Sequence, residues 1–393
     1  MSYTADFTRL GLATGLALIT SAGFAQSVPA TAPAATAPYK IVNTAQFPGS
    51  GGLDYVFADS GDRRLYVARG PQVHVFDLDT LKETGTVAGS GHGAVVDPVS
   101  HHGFISSRAI VMFDSKTLEV LKTITVTGSP DGMLFEPLTE RVYVLSHQAP
   151  NVTVIDGKDG SVVGTIDLGG APEQGQSDGL GHVYIDVEDQ ANIAVVDAKT
   201  LTVTAHYDIS SKGTTPAGLG LDIKNHILFA MCRNPGPGTC VILSADDGKI
   251  LTSLPLAGGS DGGLFNPATM EAFSSHGNGT LTVIKENSPT SFEVEQTVVT
   301  KSMAKTCTLD TKKNQIVLIT TEPMPAAATA AATSTPAAPA TPAPAPAVAA
   351  ATPAPAADAQ GRGGPGGPGG RGGQRGGGGR GGPGLLDLIV VGR

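Results

Sequence analysis

Tryptophan is absent from this chain, and cysteine occurs only three times in its 393 residues. At most one disulfide can form, so cystine links cannot carry the fold. Long helical periodicity is missing throughout, which excludes helix bundles and coiled coils. No G-x-S-x-G elbow, C-x-x-C-H haem site or H-E-x-x-H zinc motif occurs. "GRGGPGGPGG" offers the glycines of a phosphate loop, but no strand-to-helix context surrounds it. Beyond the first 25 residues no apolar run approaches the roughly 20 residues of a membrane-spanning helix.

Those first 25 residues are a different matter. "MSYTADFTRLGLATGLALITSAGFA" carries Arg9, an apolar run from Leu10, and the small-x-small ending Gly23-Phe24-Ala25. This is the anatomy of a secretory signal peptide, with Ala25–Gln26 as the expected cleavage point. The apolar run is too short for a spanning helix, and no Cys follows it to accept a lipid. The expectation is an exported protein, periplasmic or secreted, without membrane insertion. Residues 26–38 read as a Pro/Ala linker.

A second compositional break lies near the other end. Residues 323–384 are low in complexity, Pro/Ala-rich at first and Gly/Arg-rich from 361. Their only charges are Arg362, Arg371, Arg375, Arg380 and Asp358, a net of +3, so the net of −9 leaves −12 on the remainder. An acidic body argues against a nucleic-acid or anionic-membrane surface. The Gly/Arg stretch is expected to act as a passive loop or to make weak contact with anionic cell-wall material.

What remains repeats itself. "HGAVVDPVSHHGFISSRAIVMFDSKTLEVLKTITVTG" from His92 is echoed from Asp131 and again from Asp261. Each unit is about 40 residues with four short β-rich runs between Gly, Asp, Asn or Pro turns, the pattern of a propeller blade. First strands are expected from Leu53, Gly93, Gly132, Gly179, Gly218, Gly262 and Thr306, which makes seven blades. The seventh breaks off at Pro323 after two strands. "LLDLIVVGR" (385–393) supplies its third strand and "YKIVNTAQFPG" (39–49) its fourth, because an open ring would leave exposed sheet edges. The expected fold is an all-β, seven-bladed propeller of residues 39–322 and 385–393, with 323–384 an insertion in blade seven.

The cadence "YV…VTVID…G.I..G", the stretch "GGSDGGLFNPATMEAFSSHGNGTLTVIKENSPTSFEVEQTVVT", "MCRNPG" and the terminal "LIVVGR" resemble the YVTN-repeat β-propellers, specifically their YncE-like exported group. The tetrapeptide YVTN itself is absent; "LYVAR" and "VYVLS" are its nearest versions. The resemblance implies the seven-bladed ring. The DNA-binding role often given to that group does not go with an acidic body, and nucleic acid is not expected as a partner. Without tryptophan, the docking motif of pyrroloquinoline-quinone propellers is excluded.

Counting six residues back from the inner turn (Pro98, Pro137, Pro267) selects one column: Asp54, His92, Asp131, Asp178, Ala217, Asp261 and Lys305. It is expected at the funnel mouth. Like carboxylates ~8 Å apart at an effective dielectric of ~20 repel by about 2 kcal/mol per pair. Either turn N–H groups offset this, or Asp54, Asp131, Asp178 and Asp261 hold a divalent cation, calcium or magnesium. An outer ring of Arg69, Arg108, His147, Arg233 and His276, with Glu188 the exception, is expected on the same face. It either bridges to the acids or recognises an anionic or zwitterionic ligand. Cys232 and Cys240 flank a hairpin loop and are expected to form a disulfide; Cys307 reads as buried and free. The functional expectation is a binding or scaffold protein using the funnel face. The alternative is a metal-dependent enzyme of the lactonase or hydrolase kind using the Asp column.

Overall fold

The computed structural model describes residues 37–324 and 383–393. The expected signal peptide, most of the linker and most of the low-complexity insertion lie outside the described residues. Among the described residues, the β-branched runs become 28 strands arranged as seven four-stranded antiparallel sheets. Blades one to six follow chain order. They span β2–β5 (Val56–Asp59 to Glu83–Ala88), β6–β9 (Ala94–Asp97 to Val120–Thr125) and β10–β13 (Pro130–Glu136 to Val162–Ile166). The next three span β14–β17 (Pro172–Ser177 to Thr202–Asp208), β18–β21 (Thr214–Asp222 to Ile250–Pro255) and β22–β25 (Ser260–Asn266 to Ser291–Val299). The first strand of each blade touches the first strand of the next, and β26 (Thr306–Asp310) touches β2, which closes the ring.

Blade seven joins both ends of the chain. Its order is β26, β27 (Gln315–Pro323), β28 (Pro383–Gly392) and β1 (Lys40–Ser50). β28 pairs with β27 from Ile316↔Val391 to Pro323↔Gly384, and with β1 from Lys40↔Gly392 to Ser50↔Pro383. Leu386, Leu388, Ile389 and Val391 are fully buried. The ends are also clasped by polar contacts. Arg393 stacks 4.3 Å over the Tyr39 ring and bonds Glu271 and Glu295, while the Tyr39 backbone exchanges two 2.8 Å hydrogen bonds with the Gln296 amide. Arg69 is buried and donates to the Phe47 and Gly384 carbonyls, pinning β1 to β28.

Stability between blades comes from aliphatic side chains that alternate with outward residues along each strand. Each apolar cluster bridges two neighbouring blades, as Val56, Leu65 and Phe76 of blade one do with Leu386 and Leu388 of blade seven. The turn from first to second strand is built alike in all seven. Arg63, His101, Glu140, His226, Met270 and Asn314 take φ between 52° and 59°, and Gly181 takes 125°. This is the left-handed residue that completes a type I turn with a bulge. Ahead of it stands an acceptor for the turn's N–H groups: Asp59, Asp97, Glu136, Asp178, Asp222, Asn266 or Asp310.

The strand register corrects the expected disulfide. On the β-hairpin of blade five, Cys232 lies opposite Thr239 and Cys240 opposite Met231, so the two side chains leave opposite faces of the sheet. Cys232 joins the apolar cluster shared with blade four, and Cys240 the cluster shared with blade six. Both are free thiols, as is Cys307.

Candidate functional site

The turn chemistry above relocates one member of the sequence column. Asp178 sits at the end of the first strand of blade four, where its carboxylate accepts N–H groups of Leu180, Gly181 and His182 and meets the His182 ring at 2.8 Å. It therefore lies at the opposite end of β14 from the mouth. The residue equivalent to Asp131 and Asp261 is Glu173, one place after Pro172, as Asp131 follows Pro130 and Asp261 follows Ser260. The misplacement has a physical cause: β14, "PEQGQS", is a polar strand, and its lack of apolar residues hides it in the sequence. Counting six back from Gly179, which follows Asp178 as Pro98 follows Asp97, gives Glu173.

With Glu173 in place, the mouth becomes a belt of alternating acid and base. His92 Nδ1 lies 2.8 Å from Asp54 Oδ2 and 3.2 Å from Asp131 Oδ1. His147 Nε2 lies 3.3 Å from Asp131 Oδ2 and 3.1 Å from Glu173 Oε2. Arg233 stands 3.8 Å from Glu173 and pairs with Glu188 and Asp261, and Lys305 pairs with Asp261. Of the expected outer ring, only His147 and Arg233 join the inner acids. Arg69 is committed to the closure of blade seven. His276 is buried and bonds Thr282 of its own blade at 2.9 Å. Arg108 is exposed at the edge of a cleft of about 800 Å³ that also touches Asp54 and His92. Ala217 carries nothing to the belt.

The two halves of the belt differ in character. On the side of blades five to seven, permanent cations already neutralise Asp261 and Glu188. The expected four-Asp cation site is therefore not assembled: Asp178 is elsewhere and Asp261 is saturated. On the side of blades one to four, three carboxylates share two imidazoles. Burial, reinforced by the carboxylates of Asp54 and Glu173, pushes Asp131 up to about 6. Against its ordinary 3.8, that shift corresponds to roughly 3 kcal/mol opposing ionisation. The hydrogen bond to Glu173 pushes His147 up to about 9, and the bond to Asp54 raises His92. Both shifts favour positive charge between the acids.

Beneath the belt an axial cavity of about 550 Å³ is lined by the innermost strands, with Glu173 and Tyr55 in its wall. Tyr55 reaches from blade one across to blade four, where its hydroxyl donates to the Glu173 carbonyl at 3.1 Å. A Cβ on Gly93 would lie 2.9 Å from Tyr55 Cβ, so the glycine is what leaves room for the Tyr55 side chain. Gln174 bridges blades four, five and six: it accepts from the N–H groups of Leu219 and Gly263 and donates to the Gly263 carbonyl. The buried Asp186 carboxyl, raised well above its ordinary range by burial, accepts the N–H groups of Glu173 and Gln174 and sets their position. Tyr55, Glu173, Gln174 and Asp186 escaped sequence reasoning.

A scan against protein-family models finds no match, and a search of curated proteins finds no relative. Solved structures do resemble the chain. One, titled "Crystal Structure of Mitotic Checkpoint Complex", aligns with a TM-score of 0.62 at 11% identity, covering 75% of this chain and 94% of that one. Another, "Crystal structure of RRP9 WD40 repeats", aligns with a TM-score of 0.59 at 9% identity, covering 72% of this chain and 92% of that one. At such identities the likeness is one of fold: the chain is a seven-bladed β-propeller similar in architecture to WD40 rings.

Proposed function

We propose that this is an exported binding protein of YncE-like kind, which recognises a small ligand or partner group at the funnel mouth. The carrying observation is the half-belt of Asp54, His92, Asp131, His147 and Glu173 between the rim cleft and the axial cavity. Its three carboxylates face two bases, so the half-belt attracts a cationic group that can replace protons. The N-terminal leader anatomy supports export to the periplasm or medium. One structural neighbour comes from a mitotic checkpoint complex, which goes with a partner-binding role for such rings.

The test is a thermal-shift titration with spermidine, putrescine and zwitterionic amino acids, on wild type and on the isosteric double variant Asp131→Asn/Glu173→Gln. A rise in Tm of a few degrees in wild type alone is expected. Equal responses in both proteins, or none in either, overturn the reading. The clustering of imidazole with carboxylate favours a second reading, a metal-dependent hydrolase of the lactonase kind. That reading requires lactone hydrolysis by metal-loaded wild type and its loss in Asp131→Asn.

A further inference from the structure

Each imidazole of the half-belt presents one nitrogen to two carboxylates. His92 Nδ1 stands between Asp54 and Asp131, and His147 Nε2 between Asp131 and Glu173. One nitrogen carries at most one proton, so a single N–H satisfies only one of the two oxygens. His92 bonds Asp54 and His147 bonds Glu173, and Asp131 Oδ1 is left buried without a hydrogen-bond partner. The proton leaves the arrangement half satisfied; an ion with several coordination positions would satisfy it fully.

The spacing and geometry point to such an ion. The ligand atoms of Asp54, His92 and Asp131 lie within 4.8 Å of one another, and so do those of Asp131, His147 and Glu173. An ion held at roughly 2.0–2.2 Å from its ligands has ligand–ligand edges of about 2.8–3.1 Å in octahedral and about 3.3–3.6 Å in tetrahedral geometry. The observed nitrogen–oxygen separations run from 2.8 to 3.3 Å. Calcium, at roughly 2.3–2.6 Å and with all-oxygen preference, needs wider edges and no imidazole. Imidazole ligands favour zinc, copper, iron or nickel over magnesium as well. Asp131 belongs to both sets and uses a different oxygen in each, Oδ1 toward His92 and Oδ2 toward His147. That is how a carboxylate bridges two metals.

We propose that the mouth is a dinuclear site for divalent ions of the zinc class, with Asp54, His92 and Asp131 holding one ion, Asp131, His147 and Glu173 the other, and Asp131 bridging them. The inference rests on the recognition reading in that it names the cation the mouth takes. Two such ions bring four positive charges to three carboxylates, and Arg233 on the far side of Glu173 limits the site at that end.

The experiment uses the full chain, stripped with chelator, in calorimetric titrations with Zn²⁺ and Co²⁺ and elemental analysis after dialysis. Two ions per chain are expected for wild type and for Lys82→Ala, a substitution at an exposed residue of blade one. One ion is expected for His92→Ala and one for His147→Ala. Asp131→Asn should weaken both sites about 100-fold or more, with melting curves confirming that each variant is folded. Bound Co²⁺ should show visible absorption that changes in each His variant. No ion in wild type, or two ions in both His variants, overturns the dinuclear site. One ion in wild type that is lost altogether in both His92→Ala and His147→Ala overturns it too, in favour of one shared site. If metals fail while spermidine still binds in an Asp131-dependent way, only this inference falls; if both fail, the recognition reading falls with it.

Discussion

Removing 385–393 from the chain deletes an interior strand, and the structure fixes how much that costs. Leu386, Leu388, Ile389, Val390 and Val391 are each at most 5% exposed. Fully burying such a side chain is worth about 1.5–3 kcal/mol, so the five together contribute roughly 7–15 kcal/mol. A compact unfolded state reduces the figure by about 10–40%. It still matches the roughly 5–15 kcal/mol of total stability typical of a domain. The loss extends further, because among the described residues β1 pairs only with β28 and would be left as an unpaired edge. The truncated chain should be unfolded or aggregated at 25 °C. The opposite result is expected from excising 325–382 and joining the ends through a four-residue Gly-Ser turn. Pro323 already faces Gly384 across the hairpin, so the excised part is topologically a loop. Shortening that loop about fifteenfold should add about 2 kcal/mol by closure entropy. Urea titration followed by far-ultraviolet circular dichroism reads both. A nine-residue truncation that melts like the intact chain, or an excision variant that fails to fold, refutes the account of closure.

Thiol titration of denatured, unreduced protein should find three free thiols, since Cys232 and Cys240 point into different inter-blade clusters; one free thiol would show the register reasoning to be wrong. Acid stability should depend on His276. Burial lowers it from 6.5 to about 4, so the unfolded chain binds the proton more tightly. Stability from this group is complete above pH 6.5 and is lost as pH falls toward 4, by about 3 kcal/mol in all. Between pH 7 and pH 4 the urea midpoint of wild type should fall more steeply than that of His276→Gln, by an amount equivalent to about 3 kcal/mol; parallel profiles would remove His276 as the cause.

Much of this protein was legible from its sequence because a propeller is local: each blade pairs neighbours in the chain, and the repeat announces itself. The seven blades and the role of "LLDLIVVGR" both follow from patterning and from the need to close a ring. Even the funnel column was readable in six of its seven positions. The seventh failed where patterning fails. A strand such as "PEQGQS", held by Asp186, Gln174 and its place in the ring rather than by apolar alternation, carries no period to read. The sense of side chains across the hairpin at Cys232 and Cys240 was likewise a matter of register, which a one-residue shift reverses. Which charges meet was decided only by tertiary structure. Arg69 and His276 stand six residues after the left-handed turn residue of their blade and are buried, whereas Arg233 and His147 stand seven after it and reach the mouth. Arg108 shares the place of His147 and Arg233, yet it lies exposed at the edge of a cleft. Repetition sets the backbone position of a residue; the neighbours that differ from blade to blade set what its side chain touches.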